Sequence, residues 1–243
     1  MKHLIDIHSH ILPGVDDGAD DYEMSMRMLK CAADDGISAM ILTPHDKPGH
    51  RHRHFSEMAA RMEKLQSMMA EEEIEIDLYM GRELFYRRGI LENKGEEQAG
   101  TLAGSRYLLV EFNPMEDYGY IRNGIYSLLM EGYYPVLAHV ERYQNICAEK
   151  SGMSDLIDMG CYMQVNAGSV TGTFGLKTRQ FVKLILKRGQ VHFIATDAHD
   201  LGKRAPRLLA CADYISKKYG RDYSRKLFHD NPMDVIRDRE IAL

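Results

Sequence analysis

Two histidines separated by one residue, His8 and His10, end an apolar run near the start of the chain. Two acidic residues, Asp16 and Asp17, follow on the next loop. A strand that delivers two imidazoles at its end, with carboxylates close behind, is typical of a metal site with nitrogen and oxygen ligands. The spacing leaves open which of the two aspartates takes part.

Other predicted strands end in the same kind of residue. One histidine at a strand end is ordinarily structural, but recurrence at successive strand ends favours a shared site. Nitrogen and oxygen ligands together suit Zn, Mn or Fe better than Ca, and this number can hold two or three ions. Glu111 can alternatively serve to orient a ligand imidazole. The further candidates are His45, Glu83, Glu111, His139, Asp197 and His199.

Arg142 and Arg204 follow closely after His139 and His199. The chemistry that such a cluster supports is hydrolysis, since metal-bound water loses a proton near neutral pH and can attack phosphorus directly. Adjacent ions also stabilise the attacking and leaving oxygens of a phosphoryl group. Because a guanidinium fork fits phosphate oxygens, we predict that both arginines bind substrate phosphate. The alternative is that they form surface ion pairs.

Strand and helix patterns alternate along the whole chain, which predicts one barrel-like α/β domain over residues 1–243. In such a barrel the carboxyl ends of the strands meet at one face, where the candidate ligands would be neighbours. The alternative is an open doubly wound sheet, although no Gly-x-Gly-x-x-Gly follows any strand. The predicted strands are 4–10, 37–43, 74–80, 107–110, 135–138, 161–165 and 191–195.

Helices are predicted between these strands. The first begins after a cap at Asp20 or Asp21, the second after a cap at Ser56, and a third covers 118–130. Helical patterns also cover 154–159 and 178–188 and continue beyond about residue 204, where Asn231-Pro232 predicts a turn. His3, His192 and His229 lie outside the strand-end pattern and are interpreted as structural or surface residues.

Composition excludes several classes of protein. The 243 residues are 44% hydrophobic and 28% charged, with a net charge of -5, which does not suggest a nucleic-acid binder. No apolar run approaches the roughly 20 residues of a membrane helix, so direct membrane insertion is not expected. The chain runs straight into its first strand without a secretory signal, and its four cysteines form no Cys-x-x-Cys pair. We therefore expect reduced thiols in a cytoplasmic protein.

The ordered motifs resemble those of the PHP superfamily (polymerase and histidinol phosphatase). More closely, they resemble its bacterial protein-tyrosine phosphatases of capsular and exopolysaccharide operons. The similarity extends through Asp158–Tyr162 and Asp230–Pro232, and so covers nearly the whole chain. The motifs are Asp6-Ile7-His8-Ser9-His10, Asp16-Asp17-Gly18, Thr43-Pro44-His45, Ala138-His139-Val140-Glu141-Arg142-Tyr143 and Ala195-Thr196-Asp197-Ala198-His199.

This resemblance implies a distorted TIM-like (β/α)7 barrel of the PHP type with a trinuclear, usually manganese-containing site. It selects Asp17 rather than Asp16, and it places substrate phosphate on Arg142 and Arg204. The implied substrate is the tyrosine-phosphorylated tail of a membrane-associated autokinase that controls polysaccharide export. The implied metal ligands are His8, His10, Asp17, His45, Glu83, Glu111, His139, Asp197 and His199.

Three questions stay open at this point. The histidine-rich stretch Asp46–His54 departs from the family pattern, and its role is undetermined. A PHP phosphoesterase acting on a small molecule, such as histidinol phosphate or a nucleotide, is an alternative function. So is a non-catalytic module that binds a phosphorylated kinase tail; intact ligands argue against it.

The cysteines test a rival chemistry. A thiolate phosphatase needs an arginine six residues after its nucleophilic cysteine. The residues six positions after Cys31, Cys147, Cys161 and Cys211 are Ile37, Met153, Ala167 and Lys217. Cysteine-based catalysis is therefore not expected, and there is no Gly-x-Ser-x-Gly motif or P-loop.

Overall fold

The computed structural model describes residues 3–47, 54–90, 100–143, 145–146 and 152–242. Within these residues every strand pairs in parallel with its neighbours. The strands are β1 (Leu4–Ser9), β2 (Ile37–Leu42), β3 (His45–Asp46), β4 (Asp77–Met80), β5 (Glu83–Phe85), β6 (Tyr107–Glu111), β7 (Tyr134–Leu137), β8 (Tyr162–Asn166) and β9 (Phe193–Ala195).

These strands occupy seven positions in one curled sheet. One run has the order β1-β2-β4 and the other β3-β5-β6-β7-β8-β9. Only Thr43 and Pro44 separate β2 from β3, and only Gly81 and Arg82 separate β4 from β5, so each pair is one interrupted strand. Pro44 interrupts its strand because it has no N–H for the sheet. A bridge between Ser9 and Ala198 brings the end of β9 beside β1. The predicted barrel-like α/β fold is confirmed, and its distortion lies at the two interruptions.

Helices cover the outside of the sheet. Asp21 caps α1, since its Oδ1 accepts from the backbone N of Met24 at 2.8 Å. The prediction that Ser56 caps α2 is wrong, because α2 begins at Phe55 after His54 with no side-chain cap bond. The helices are α1 (Tyr22–Asp34), α2 (Phe55–Glu71), α3 (Tyr118–Met130), α4 (Gly152–Asp158), α5 (Ala167–Thr171), α6 (Leu176–Lys187), α7 (Leu209–Tyr219), α8 (Arg221–Arg225) and α9 (Asn231–Ile236).

The C-terminal helices hold two further observations. Asn231-Pro232 was predicted to be a turn, but it forms the first turn of α9, where a proline without an N–H is tolerated. A π-helical turn, Lys226–Asp230, precedes it. Across the described ranges no helix is both long and apolar enough to cross a membrane.

An apolar cluster fills the interior of the sheet and leads directly to the predicted ligands. Tyr107 and Leu109 of β6 belong to it, and Glu111 is the next residue on that alternation. At the opposite end, the Tyr107 hydroxyl donates to the carbonyl of Arg239 at 2.7 Å, and the Tyr162 hydroxyl donates to that of Ile241 at 2.8 Å. The C-terminal segment thus closes the amino end of the sheet, and the carboxyl end stays free for chemistry.

His192 is a buried structural residue, as its place outside the ligand pattern predicted. Its Nδ1 accepts from the backbone N of Met163 at 3.0 Å. Burial, with a smaller contribution from Lys226, lowers the pKa of His192 to about 4 from 6.5. The folded protein therefore holds this imidazole neutral at a pH where the unfolded chain protonates it.

Acidification is expected to remove stability through this residue. The stabilisation is complete above the unfolded pKa of 6.5 and is lost as pH falls towards 4, which amounts to about 2 kcal/mol at about pH 5. His192→Asn, whose Oδ1 can replace the accepting Nδ1, should lack this component. Urea unfolding of metal-free protein at about pH 7.5 and about pH 5 measures it. Equal pH dependence in wild type and variant would contradict the assignment.

Candidate metal centre

The nine predicted ligands converge at the carboxyl end of the sheet. His8 and His10 come from the end of β1, and Glu111 ends β6. His45 and Glu83 begin β3 and β5, the downstream halves of interrupted strands, and pair with each other in register. The others lie on the connections after β1, β7 and β9: Asp17, His139, Asp197 and His199.

Four buried side chains form the inner part of this cluster. The Nε2 atoms of His8 and His10 lie 3.2 Å apart. Each lies 3.3 Å from Glu83 Oε2 and 3.5 Å from Asp197 Oδ1. Two ring nitrogens and two carboxylate oxygens therefore face one small region, an arrangement that a shared cation would stabilise.

Two further groups overlap with the inner one. Asp17 Oδ1 lies 3.3 Å from His45 Nε2 and 3.4 Å from His199 Nε2. The ligand atoms of each group lie within 4.8 Å of one another. The cluster therefore has three places where a cation would meet several donors. The three groups are His10, Asp17, His45 and His199; His8, His10 and Asp197; and His45, Glu83 and Glu111.

Unsatisfied buried atoms test whether metal ions fit this cluster. Glu83 Oε2, Glu111 Oε2 and His199 Nε2 are buried, and within the described residues none has a partner in hydrogen-bonding geometry, although imidazole or carboxylate atoms lie as near as 2.9 Å. Buried polar atoms without partners are costly and uncommon. Because all three are atoms that ligate divalent metals, the donor set fits bound cations.

The ionisation of the cluster supports the same conclusion. Burial opposes a charge on His10, but the carboxylates of Asp16 and Glu83 outweigh it and raise its pKa to about 10. Burial also raises the pKa of Glu83, yet the surrounding imidazoles, His8 foremost, bring it well below its usual range. Without metal, a protonated His10 therefore faces an ionised Glu83, and a metal ion that binds His10 must displace its proton.

The structure distinguishes Asp16 from Asp17. Asp16 Oδ2 accepts from His10 Nδ1 at 2.7 Å and from the backbone N of His45 at 3.0 Å. It therefore orients His10 so that Nε2 faces the cluster. A Cβ on Gly18 would lie 1.9 Å from the carbonyl oxygen of His10, so this loop can close behind β1 only with glycine there. Asp17 is instead the aspartate that lies beside other candidate ligands, His45 and His199.

Glu111 and His139 flank Glu83. His139 Nε2 lies 2.8 Å from Glu83 Oε1. Glu111 Oε2 lies 3.8 Å from His45 Nδ1, too far to orient that imidazole by a hydrogen bond, and Glu111 Oε1 lies 3.6 Å from Lys47 Nζ. Burial and the nearby Glu83 raise the pKa of Glu111. A cation between the two carboxylates would remove this repulsion, which favours the ligand role for Glu111.

Two of the predicted ligands adopt a left-handed backbone conformation. The φ angle is 35° at His139 and 52° at Asp197, although neither residue is glycine. Such conformations cost about 1–3 kcal/mol each and occur at functional sites that the surrounding structure holds in place. Each residue lies two positions after the end of a strand, β7 or β9, where this turn places its side chain in the cluster.

Arg142 and Arg204 meet at one carboxylate. Arg142 Nη2 donates to Asp197 Oδ2 at 2.6 Å, and Arg204 Nη2 donates to Asp197 Oδ1 at 2.6 Å. Their side chains are 36% and 27% exposed, whereas Asp197 is buried. Both arginines thus lie at the mouth of the cluster, where each guanidinium contacts Asp197 and is partly exposed to solvent, from which a ligand could approach.

Two residues of this site were missed by the sequence argument. Gln164 Oε1 accepts from the backbone N of His139 at 2.7 Å, and Asn166 Nδ2 donates to Asp197 Oδ2 at 2.8 Å. The available signal was two amide side chains on alternate positions of a predicted buried strand, where apolar residues are usual. They contact three of the predicted ligands without being ligands themselves.

The thiols of the three described cysteines do not enter the cluster. Burial raises the pKa of Cys161 to about 12 and raises that of Cys211 further, so both stay protonated at neutral pH. Cys31, Cys161 and Cys211 are free cysteines. Cys147 and residues 48–53 of the histidine-rich stretch lie outside the described residues.

The fold and the cluster together define a class. A parallel α/β barrel with histidines and carboxylates gathered at the carboxyl ends of its strands is the arrangement of metal-dependent hydrolases. Residues 4–237 match the family described as capsular polysaccharide synthesis, CpsB/CapC. The chain belongs to the CpsB/CapC family, which confirms the resemblance seen in its motifs.

The sequence similarity to two named relatives extends over most of the length of each protein. Tyrosine-protein phosphatase CpsB of Streptococcus pneumoniae is 34% identical, over 98% of this chain and 100% of that protein. Tyrosine-protein phosphatase YwqE of Bacillus subtilis is 30% identical, over 90% of this chain and 86% of that protein. A solved chain from the crystal structures of YwqE and CpsB, described as metal-dependent tyrosine phosphatases, matches this fold with a TM-score of 0.92 at 29% identity. The match covers 98% of this chain and 96% of that one.

More distant structures share the fold alone. Histidinol phosphate phosphatase of Lactococcus lactis, solved with zinc, histidinol and phosphate, matches with a TM-score of 0.56 at 15% identity. The match covers 90% of this chain and 95% of that one. The barrel is therefore common to enzymes with different substrates, and specificity must come from the loops at its mouth.

Proposed function

We propose that this chain is a metal-dependent protein-tyrosine phosphatase that hydrolyses phosphotyrosine. The observation that carries the proposal is the convergence of His8, His10, Glu83 and Asp197 on one buried region. Relatives named tyrosine-protein phosphatases, 30% to 34% identical, support the substrate class. The proposed physiological substrate is the tyrosine-phosphorylated tail of an autokinase of polysaccharide export, which would place the activity in the cytoplasm.

The proposed cofactor is two or three divalent ions, with manganese preferred over iron or zinc. The three overlapping donor groups support that number. When bound, such ions supply a hydroxide nucleophile near neutral pH and stabilise the charge that develops on phosphoryl oxygens. The residues that would hold them are His8, His10, Asp17, His45, Glu83, Glu111, His139, Asp197 and His199.

The protein's own groups bind and orient the phosphoryl group. Among the described residues, Arg142 donates through Nη2 to Asp197, and Arg204 donates through Nε and Nη2 to the same residue. The other guanidinium donors make no hydrogen bond within the described part of the chain, and they would bind phosphoryl oxygens in a planar fork. Asp17, whose side chain is 55% exposed, is the predicted ligand closest to solvent and would lie beside the entering substrate.

Removal of the metals is expected to abolish hydrolysis of a phosphotyrosine peptide, and Mn²⁺ is expected to restore it. The reason is that the proposed nucleophile is a hydroxide that forms near neutral pH only when the metals are bound. Dialysis against a chelator, followed by metal titration and a phosphate-release assay, measures this. Alkylation of the thiols with metals still bound is the control and should leave the rate unchanged. Full activity in a metal-free sample would contradict the proposal.

The alternative is a phosphoesterase for a small molecule. The shared barrel of histidinol phosphate phosphatase makes this the appropriate comparison. Rates on a phosphotyrosine peptide, histidinol phosphate and a nucleotide ester should be compared on one manganese-loaded preparation. A large preference for either small molecule would overturn the proposed substrate. Tight binding of the phosphopeptide without turnover would indicate a binding module instead.

A further inference from the structure

Gln164 and Asn166 are buried amide side chains on the interior alternation of β8. Tyr162, the preceding residue on this alternation, belongs to the interior apolar cluster. An apolar pair would fill the same space without the need to satisfy four polar groups. The presence of two amides therefore indicates that the end of β8 makes specific hydrogen bonds and does not only fill space.

A series of hydrogen bonds runs from His139 through the two amides to Asp197, and each group donates to the next. The backbone N of His139 donates to Gln164 Oε1 at 2.7 Å. Gln164 Nε2 donates to Asn166 Oδ1 at 2.9 Å, and Asn166 Nδ2 donates to Asp197 Oδ2 at 2.8 Å. We call these side chains the amide relay.

The chemistry of its two ends allows the amide relay only one orientation. A backbone N–H can only donate, so the oxygen of Gln164 must face His139. An ionised carboxylate can only accept, so the nitrogen of Asn166 must face Asp197. With both ends fixed, the middle bond runs from Gln164 to Asn166, and turning either amide would place like atoms against each other.

This orientation determines the tautomer of a predicted ligand. His8 Nδ1 lies 3.2 Å from the same Gln164 Oε1. Because that oxygen is an acceptor, Nδ1 must carry the proton, and Nε2 is left with its lone pair facing His10, Glu83 and Asp197. The same oxygen also holds the backbone of His139, whose left-handed φ of 35° needs support.

The backbone of Asn166 is held independently of the amide relay. Glu141 Oε1 accepts from the backbone N of Asn166 at 2.9 Å and from Ser169 Oγ at 2.6 Å. Asn166 is thus tied to the connection that carries His139 and Arg142. Its amide therefore presents a fixed donor to Asp197 Oδ2, the oxygen that Arg142 also contacts.

We propose that Gln164 and Asn166 are positioning residues that orient His8, His139 and Asp197 as one unit for metal binding. This inference rests on the proposed metal site but not on the identity of the substrate. Within the described residues neither amide hydrogen-bonds to another candidate ligand, so the effect reaches the metals through these three residues. Loss of outer partners of metal ligands typically lowers metal affinity or activity by about 10- to 100-fold.

The test is a double-mutant cycle read out by metal affinity. The variants are Gln164→Met, which conserves volume, Asn166→Leu and the combination of both. Mn²⁺ affinity is measured by competition with a chelator in the absence of substrate. Each single variant is expected to lose about 10- to 100-fold in affinity. The double variant should lose no more than about threefold beyond the weaker-binding single variant, because either change breaks the same unit.

Asn231→Leu provides a matched control. Asn231 is also buried, and its Nδ2 donates to the carbonyl of His192 at 2.8 Å, away from the cluster. It should lose stability, as any buried amide would, yet keep wild-type Mn²⁺ affinity. KM for a phosphotyrosine peptide at saturating Mn²⁺ should be unchanged in both relay variants, since the amides do not contact substrate.

The tautomer gives a second, independent readout. In metal-free protein at alkaline pH, where no metal fixes the ring, nitrogen NMR should show neutral His8 protonated at Nδ1, and Gln164→Met should remove this preference. Gln164→Asn keeps an amide that is too short to reach both partners, and it serves if Gln164→Met does not fold. Additive losses in the cycle, affinities equal to that of Asn231→Leu, or an unchanged His8 tautomer would each overturn the proposal. If the variants lose metal affinity as expected but the wild type does not hydrolyse phosphotyrosine, the positioning role stands and only the proposed substrate is wrong.

Discussion

Glu83→Gln is expected to lower Mn²⁺ affinity and the turnover of a phosphotyrosine peptide by more than about 100-fold, beyond the 10- to 100-fold typical of outer partners of a ligand. Glu83 Oε2 lies 2.9 Å from His45 Nδ1 and 3.3 Å from the Nε2 atoms of His8 and His10. Its other oxygen lies 2.8 Å from His139 Nε2. No other carboxylate in the described residues is in contact with four of the candidate imidazoles, so the loss of its charge should affect more than one ion.

The measurement is metal content by elemental analysis together with steady-state kinetics. Asp35→Asn is the control, because Asp35 Oδ2 accepts from the backbone N atoms of Leu208 and Leu209 at the start of α7, outside the cluster. Because an asparagine oxygen can still accept from these N–H groups, the variant should lose little stability, and it should keep its metals. His8→Ala and His10→Ala should likewise lose metal and turnover with the fold retained. Full metal content in Glu83→Gln would refute the proposed ligand set.

Arg204→Lys is expected to lower kcat/KM for phosphotyrosine peptide by about 100-fold while metal content stays at the wild-type level. Lysine keeps the positive charge but loses the planar fork, and loss of one donor to a developing charge costs about 100- to 1000-fold in related sites. The same substitution at Arg142 should act in the same direction. Each arginine contacts a different oxygen of Asp197, so both should also hold different phosphoryl oxygens.

Arg207→Lys is the matched control for these variants. Arg207 is exposed, three residues further along the same loop, and its Nε donates to Cys31 Sγ at 3.4 Å rather than to the cluster. Its kinetics should equal those of the wild type. If Arg204→Lys instead lost metal with unchanged KM, the arginine would be a support for Asp197 and not a phosphate-binding residue.

Much of the fold was accessible from local patterns. Hydrophobic periodicity and turn residues are short-range signals, so the helix over Tyr118–Met130 and the strand ending at Glu111 were predicted almost to the residue. Strand ends carry special weight in a parallel barrel because its topology gathers them at one face. Recurrent histidines and carboxylates at those ends were enough to predict one shared site from residues far apart in the chain.

The interruptions of two strands were not predicted. The run after Ile37 ends at Leu42 and resumes at His45, because Pro44 cannot donate to the sheet. The cap at Ser56 failed for a different reason, since capping depends on the backbone geometry of the preceding residue, and α2 already begins at Phe55. Such boundaries depend on a few dihedral angles that composition does not specify.

Residue spacing alone did not choose between Asp16 and Asp17, which only the family resemblance separated, and the roles of Gln164 and Asn166 depended on three-dimensional contacts. Adjacent aspartates have the same chemistry, and only the turn at Gly18 sends Asp16 to His10 Nδ1 and Asp17 to His45 and His199. Amide side chains carry no metal-binding signature, and their function comes from the partners they face. Residue types and their order therefore identify the chemistry of this site, whereas the direction of each hydrogen bond, which sets the orientation of each ligand, exists only after the barrel has closed.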